Sequence, residues 1–220
     1  MMNTPTIVFD LDGTLADTSA DLLAAANACF GKPLLGTADT LTAFLGGRAM
    51  LRLGYQRLGR VWSEADVDRD YPRLLAAYAE GICVATRLYP GVVAAVERLR
   101  VAGYATAICT NKPEGLAVEL VRQLGIAGLF GALVGADTLP VRKPDAAPYR
   151  LAVERVGGGW SMLVGDTETD RKTGLAAGVP VALVTFGPEG QDVARWQPEA
   201  LLDHYDDLSG IAARLRAMAG

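Results

Sequence analysis

Short apolar runs rich in β-branched residues recur along this chain, and the loops that follow them carry most of its chemically useful side chains. The runs are Thr6 to Phe9, Tyr104 to Cys109, Ala132 to Val134, Met162 to Val164 and Val181 to Phe186. The first four lead into Asp10-Leu11-Asp12-Gly13-Thr14, Thr110-Asn111-Lys112-Pro113, Gly135-Ala136-Asp137 and Gly165-Asp166-Thr167. Between the later runs lie segments with helical spacing of apolar residues: Val92 to Arg100, Leu116 to Leu124, Pro148 to Val156 and Arg171 to Ala177.

Alternating strands and helices predict an α/β fold, a doubly wound parallel sheet with a Rossmann-like core covered on both faces. Ligands of such sheets bind beyond the carboxyl ends of the strands, so the four loops are candidates for one shared site. The first connection is anomalous. It runs from about Ala16 to Gly103, whereas a crossover needs only about 10–12 residues. Its content is helical, because Leu22, Leu23, Ala26 and Phe30, then Leu41, Phe44 and Leu45, then Tyr71, Leu74, Leu75 and Tyr78 follow three-and-four spacing. The expected organisation is a core of residues 1–15 and 89–220 with an inserted helical cap domain, 16–88, closed by the re-entry turn Tyr89-Pro90-Gly91. Gly157-Gly158-Gly159 reads as a flexible turn.

A net charge of −4 over 220 residues offers no basic field for nucleic acid or an anionic membrane surface. No stretch reaches the roughly 18 apolar residues of a membrane span, and Met1 to Thr6 lacks a basic region followed by an apolar one, so the expected location is cytoplasmic. The three cysteines, Cys29, Cys83 and Cys109, are widely spaced in apolar sequence and read as buried thiols rather than a disulfide framework or a zinc site. The lone histidine, His204, sits in the acidic stretch Asp203 to Asp207 and reads as solvated, which counts against histidine-dependent hydrolysis. The expected partner is a small molecule, met by a monomer or a homodimer, between which the sequence does not choose.

Asp10 and Asp12 stand two apart just beyond a buried strand, a spacing that points both carboxylates the same way in extended chain. Two acids so close repel unless a cation or a proton intervenes. Taken alone, the four residues Asp10 to Gly13 are equally an ordinary aspartate–glycine turn. Asp166 and Asp170 add two acids at the end of another strand, although Asp170 reads equally as a helix cap. Asp10, the Asp12 carbonyl and Asp166 make a sparse oxygen site of the kind that suits magnesium, which keeps several waters and takes one or two carboxylates plus a phosphate. Thr110, Asn111 and Lys143 supply a hydroxyl, an amide and an ammonium. Each is weak evidence alone, but together they meet the needs of phosphoryl transfer: a nucleophile, a metal and donors for the equatorial oxygens.

At these residues the chain resembles the haloacid dehalogenase superfamily of phosphatases. Four motifs fall in the family's order: Phe9-Asp10-Leu11-Asp12-Gly13-Thr14-Leu15, Cys109-Thr110-Asn111-Lys112, Arg142-Lys143-Pro144 and Gly165-Asp166 through Asp170. The stretches Gly135 to Asp145, Gly174 to Pro180 and Phe186-Gly187 are similar to bacterial phosphoglycolate phosphatases. The resemblance implies that Asp10 attacks phosphorus and that Asp12 protonates the leaving alkoxide and then activates water. It implies that Thr110, Asn111 and Lys143 bind the phosphoryl oxygens, that Asp10, Asp12 and Asp166 hold Mg2+, and that Asp170 acts from behind them. Thr167 and Arg171-Lys172 depart mildly from the family pattern.

The expected activity is therefore a phosphomonoesterase for a small phosphorylated metabolite, 2-phosphoglycolate first, with Arg48 of the segment Phe44 to Met50 as the cation for the substrate carboxylate. Phosphatases or pyrophosphatases of other metabolites and a sugar phosphomutase of the same superfamily stay open. A signalling receiver domain has a comparable acidic cluster but lacks a helical insert, and a silent scaffold has no need of both Asp10 and Asp12.

Overall fold

The computed structural model describes residues 4–219, so part of the Met1–Thr6 stretch lies outside it. The chain divides into two compact units, one of residues 1–16 and 88–220 and one of residues 17–87.

The larger unit is an α/β sheet protein. Its strands are β1 (Thr4–Phe9), then, beyond two short strands β2 (Ala16–Asp17) and β3 (Arg87–Leu88), β4 (Ala105–Cys109), β5 (Ala132–Val134), β6 (Gly158–Gly165), β7 (Val181–Val184) and β8 (Ala200–Leu202). The six longer members form one sheet in the order β5-β4-β1-β6-β7-β8, and its neighbours pair in parallel. Strands β2 and β3 form a separate two-stranded sheet. Ile7, Val8, Phe9, Ile108, Cys109, Leu163, Val164, Leu183 and Val184 have no exposed surface. Their continuous apolar character, without alternation, is the signature of strands covered on both faces.

The order reverses at β1. From there the chain builds outward through β4 and β5, then returns to β6 on the other side of β1 and continues through β7 and β8. This switch opens a crevice at the carboxyl ends of β1, β4 and β6. The smaller unit holds α1 (Ser19–Phe30), α2 (Thr40–Phe44), α3 (Gly47–Leu58) and α4 (Glu64–Glu80) around a core of Leu23, Ala26, Met50, Leu51, Val67 and Leu74. Helices α5 (Val92–Val101), α6 (Glu114–Gln123), α7 (Ala146–Arg155), α8 (Glu168–Ala177) and α9 (Leu208–Ala217) belong to the sheet unit. No helix of the described residues is long and apolar enough to cross a membrane.

Two sequence readings need correction. Gly158 and Gly159 open β6 instead of forming a turn, because Gly158 pairs with Thr4 at the start of β1 while its φ of 70° lets the chain swing into line. Strand β8 was not expected, since three residues are too few to show a period. Cys29 and Cys83 are half-buried free thiols and Cys109 is buried.

The segment Gly174 to Gly178 has a packing reason for its first glycine. A Cβ on Gly174 of α8 would lie 2.0 Å from Val181 Cγ2 and 3.2 Å from the Val179 carbonyl. Alanine gains about 1 kcal/mol in helix propensity, but overpacking costs about 1–3 kcal/mol. Gly174→Ala is therefore expected to lower the urea midpoint. Gly210→Ala in α9, where a Cβ meets nothing within 4 Å, is expected to raise it or leave it unchanged. If both substitutions move the midpoint upward, the close approach of α8 to β7 does not decide this position.

Candidate active site

Phe9 pairs with Ile108 on one side and Val164 on the other. Asp10, Thr110 and Asp166 therefore leave three adjacent strands within a residue of the same level. The backbone continues to hold them: the Asp10 amide donates to the Val164 carbonyl and the Thr110 amide to the Val134 carbonyl, both at 2.9 Å. Lys143, between β5 and α7, brings its Nζ to 3.0 Å from Asp10 Oδ1 and 2.7 Å from Asp170 Oδ1. Its side chain is 2% exposed.

Asp170, in the first turn of α8, is both cap and site residue. Its Oδ2 accepts from Thr167 Oγ1 at 2.8 Å and from the amides of Asp166 and Thr167 at 3.2 Å, while Oδ1 faces Lys143. A Cβ on Gly165 would lie 2.3 Å from Asp170 Cγ, so a glycine is required for the carboxylate to tuck against the end of β6. Asn111 is exposed, and its Nδ2 donates to the Lys143 carbonyl at 3.0 Å, which ties down the lysine's loop. Thr110 is buried, its Oγ1 accepting from the Lys112 amide at 3.2 Å, which leaves the hydroxyl proton to donate. Arg48 belongs to the helical unit, near the start of α3, where its guanidinium pairs with Asp68 and lies 4.6 Å above the centre of the Tyr71 ring. His204 is exposed, and its Nδ1 accepts from the Asp206 amide at 3.2 Å.

Three further residues were not assigned roles from the sequence. Lys112 Nζ lies 3.0 Å from Asp12 Oδ1, with 4% of the lysine side chain exposed. Thr14 Oγ1 donates to Asp166 Oδ1 at 3.0 Å, and Tyr205 Oη donates to the Thr14 carbonyl at 2.8 Å. Lys112 carried a signal, a charged residue inside a motif at the end of a buried strand. Tyr205, 191 residues from Thr14, carried none.

Four carboxylates against two ammoniums leave an excess of two negative charges when all are ionised. Burial raises the Asp10 carboxyl to about 6, against the opposing pull of Lys143 and with help from Asp170 and Asp12. Burial, then Asp170 and Asp10, push Asp166 well above the usual carboxylate range. Burial alone would lower Lys143, but Asp10 and Asp170 outweigh it and hold the ammonium firmly protonated. Asp10, Asp166 and Asp170 each offer an oxygen within 4.8 Å of the others. Asp166 Oδ2 is buried with no hydrogen-bond partner, while Asp10 Oδ1 is buried against the Lys143 ammonium at 3.0 Å. The open Asp166 oxygen and the negative excess fit a divalent, oxygen-preferring cation. Asp170, with both oxygens already engaged, fits the role of a support.

A family model described as a haloacid dehalogenase-like hydrolase matches residues 4–178. Over their full lengths, the chain and a phosphoglycolate phosphatase of Mesorhizobium japonicum are 38% identical. A phosphoglycolate phosphatase of Cereibacter sphaeroides is 36% identical over 97% of this chain and all of its own. The crystal structure of a predicted phosphoglycolate phosphatase from Haemophilus somnus superposes with a TM-score of 0.79 at 26% identity, covering 96% of this chain and 99% of that one.

The raised Asp10 carboxyl has a consequence for stability. A carboxylate with a higher pKa folded than unfolded binds more protons when folded, so its contribution falls as pH rises from the ordinary 3.8 through about 6 and is constant above. Asp10→Asn lacks this titration. In a chelator, the variant is expected to be more stable than the parent above pH 6, by an amount on the order of 2–3 kcal/mol, with the gap closing toward pH 4. Paired urea titrations across this range check it, and a gap independent of pH would remove Asp10 as the group under electrostatic strain.

Proposed function

This chain belongs to the haloacid dehalogenase-like hydrolase family, and on that premise we propose that it is a phosphatase that cleaves a small phosphomonoester through a covalent phosphoaspartate on Asp10. The observation that carries the reading is the buried Asp166 oxygen without a partner, beside Asp10 and the Lys143 ammonium that meets it, at the strand switch. Such a site has an anionic nucleophile, a fixed cation and a demand for a second one.

In the first step an Asp10 oxygen bonds to phosphorus, the bond to the leaving oxygen breaks, and that oxygen takes a proton from Asp12. In the second, a water oxygen bonds to phosphorus while Asp12 takes its proton, and the bond between Asp10 and phosphorus breaks. Lys143 and the Thr110 hydroxyl neutralise and orient the phosphoryl oxygens in both. Asp10, the Asp12 carbonyl and Asp166 would hold magnesium, which would supply charge neutralisation. Asp170 fixes Lys143 and the end of β6, and Asn111 donates to the phosphoryl oxygens while also holding the Lys143 backbone.

Asp10→Asn is expected to abolish turnover and acid-stable phosphorylation of the protein, because an amide is a poor nucleophile. Asp12→Asn is expected to slow both half-reactions for an alkyl phosphate by about 10²–10⁴. Turnover should stop in a chelator and return with magnesium, and calcium, with its larger and more flexible coordination shell, should inhibit. Rapid-quench assays with labelled substrate measure all three, and appreciable activity in Asp10→Asn would sink the mechanism.

The named relatives support 2-phosphoglycolate as the substrate, and its carboxylate calls for a cation, which we assign to Arg48. The Arg48 side chain is 41% exposed, and its guanidinium lies over the Tyr71 ring with one nitrogen paired to Asp68 and the others available as donors. Arg48→Ala is expected to lower kcat/KM for phosphoglycolate by about 10–100-fold and that for an uncharged aryl phosphate far less. Equal losses on the two substrates would assign Arg48 to folding of the helical unit.

A further inference from the structure

The mechanism above asks more of Asp12 than of any other side chain, since one carboxylate must deliver a proton and later collect one. Its backbone is well held: the Gly13 amide donates to the Ala16 carbonyl at 2.9 Å, the Leu15 and Ala16 amides donate to the Leu11 carbonyl at 2.9 and 3.1 Å, and Asp12 bridges to Ala16. The side chain is 19% exposed, and Lys112 Nζ lies 3.0 Å from its Oδ1. Lys112 is itself fixed at the backbone, donating to Thr110 Oγ1 at 3.2 Å and accepting from the Ala136 amide at 2.9 Å. The ion pair is therefore a strut between two anchored loops, one after β1 and one after β4.

The energetics argue against a stabilising purpose. Removing an ammonium from water costs several kcal/mol, and a buried pair roughly recovers that cost without adding net stability. What such a pair supplies is geometry. Three of the four acids face a lysine, Asp10 and Asp170 facing Lys143 and Asp12 facing Lys112.

Resting on the phosphatase reading, we propose that Lys112 is a positioning residue that holds the Asp12 carboxylate in the orientation from which it serves both half-reactions. It acts through Asp12 and not on the phosphoryl group. A carboxylate displaced by about 1 Å can lose about 10²-fold in rate, and the loss is confined to steps in which a proton moves.

Leaving-group chemistry separates this role from a structural one. Nitrophenolate departs from p-nitrophenyl phosphate without a proton, whereas the alkoxide of an alkyl phosphate requires one. Lys112→Met is expected to reduce kcat/KM for phosphoglycolate by about 10²-fold and that for p-nitrophenyl phosphate by less than about 3-fold. Turnover of the aryl ester falls about 10²-fold, because water attack still needs Asp12, and phosphoenzyme accumulates in rapid quench. In an Asp12→Asn background Lys112→Met is expected to add less than about 3-fold. Lys112→Gln, which keeps a polar end but does not reach Asp12, serves as a second variant and should behave in the same way. Equal losses of kcat/KM on both esters, or multiplicative losses in the double variant, would overturn the inference. A parent protein that hydrolyses neither ester overturns the phosphatase reading, and this inference with it.

Discussion

The Lys143 ammonium, buried against Asp10 and Asp170, is the interaction on which the rest of the site depends. A charge out of water must be paired or it costs several kcal/mol, so the loop after β5 can close only where both carboxylates meet it. One of them follows β1 and the other begins α8, and the lysine thereby sets three elements in register. Asn111 reinforces this from the end of β4 by holding the Lys143 carbonyl. The requirement also works in reverse. With oxygens of Asp10, Asp166 and Asp170 within 4.8 Å of one another, two ionised carboxylates repel by about 3.5 kcal/mol or more at an effective dielectric near 20, and Lys143 moderates that repulsion without cancelling it.

What remains is a deliberate imbalance. The fold's apolar sheet, with β1 fully buried along Ile7, Val8 and Phe9, is rigid enough to hold like charges together at the expense of some stability, a common property of functional sites. The unpartnered oxygen of Asp166 and the raised carboxyl of Asp10 are where that strain is visible. Thr14 holds one Asp166 oxygen and is itself held by Tyr205 through its carbonyl, and the other Asp166 oxygen is left open. Such a site fits the cation and the phosphate that the proposed mechanism requires.

Close approach governs the supporting elements as well. Gly165 lets the Asp170 carboxylate lie under the end of β6, and Gly174 lets α8 pack on Val181. Both belong to one strand–helix–strand unit, which fixes Asp166 and Asp170 relative to the sheet. The glycines stand in stretches that already resemble phosphatases in the sequence, and their physical reason is the absence of room for a single carbon atom.

The sequence alone determined the class of fold, since uninterrupted β-branched runs separated by helical spacing have one favourable arrangement, a parallel sheet covered on both faces. It also determined that Asp10, Thr110 and Asp166 lie at strand ends, because in that fold the residue after each buried run emerges on the same edge. Lys143 and Asp170 were legible as candidates through their motifs, though not through their partners. Only the tertiary structure decided those partners: that Lys143 bridges Asp10 and Asp170, that Asn111 serves the lysine's backbone, that Lys112 faces Asp12, and that Tyr205 reaches Thr14. The reason is range. Periodicity and turn chemistry act over a few residues and leave their mark locally, whereas a buried charge or hydroxyl is satisfied by whatever the packing brings within about 3 Å, and nothing in the intervening chain records which residue that will be.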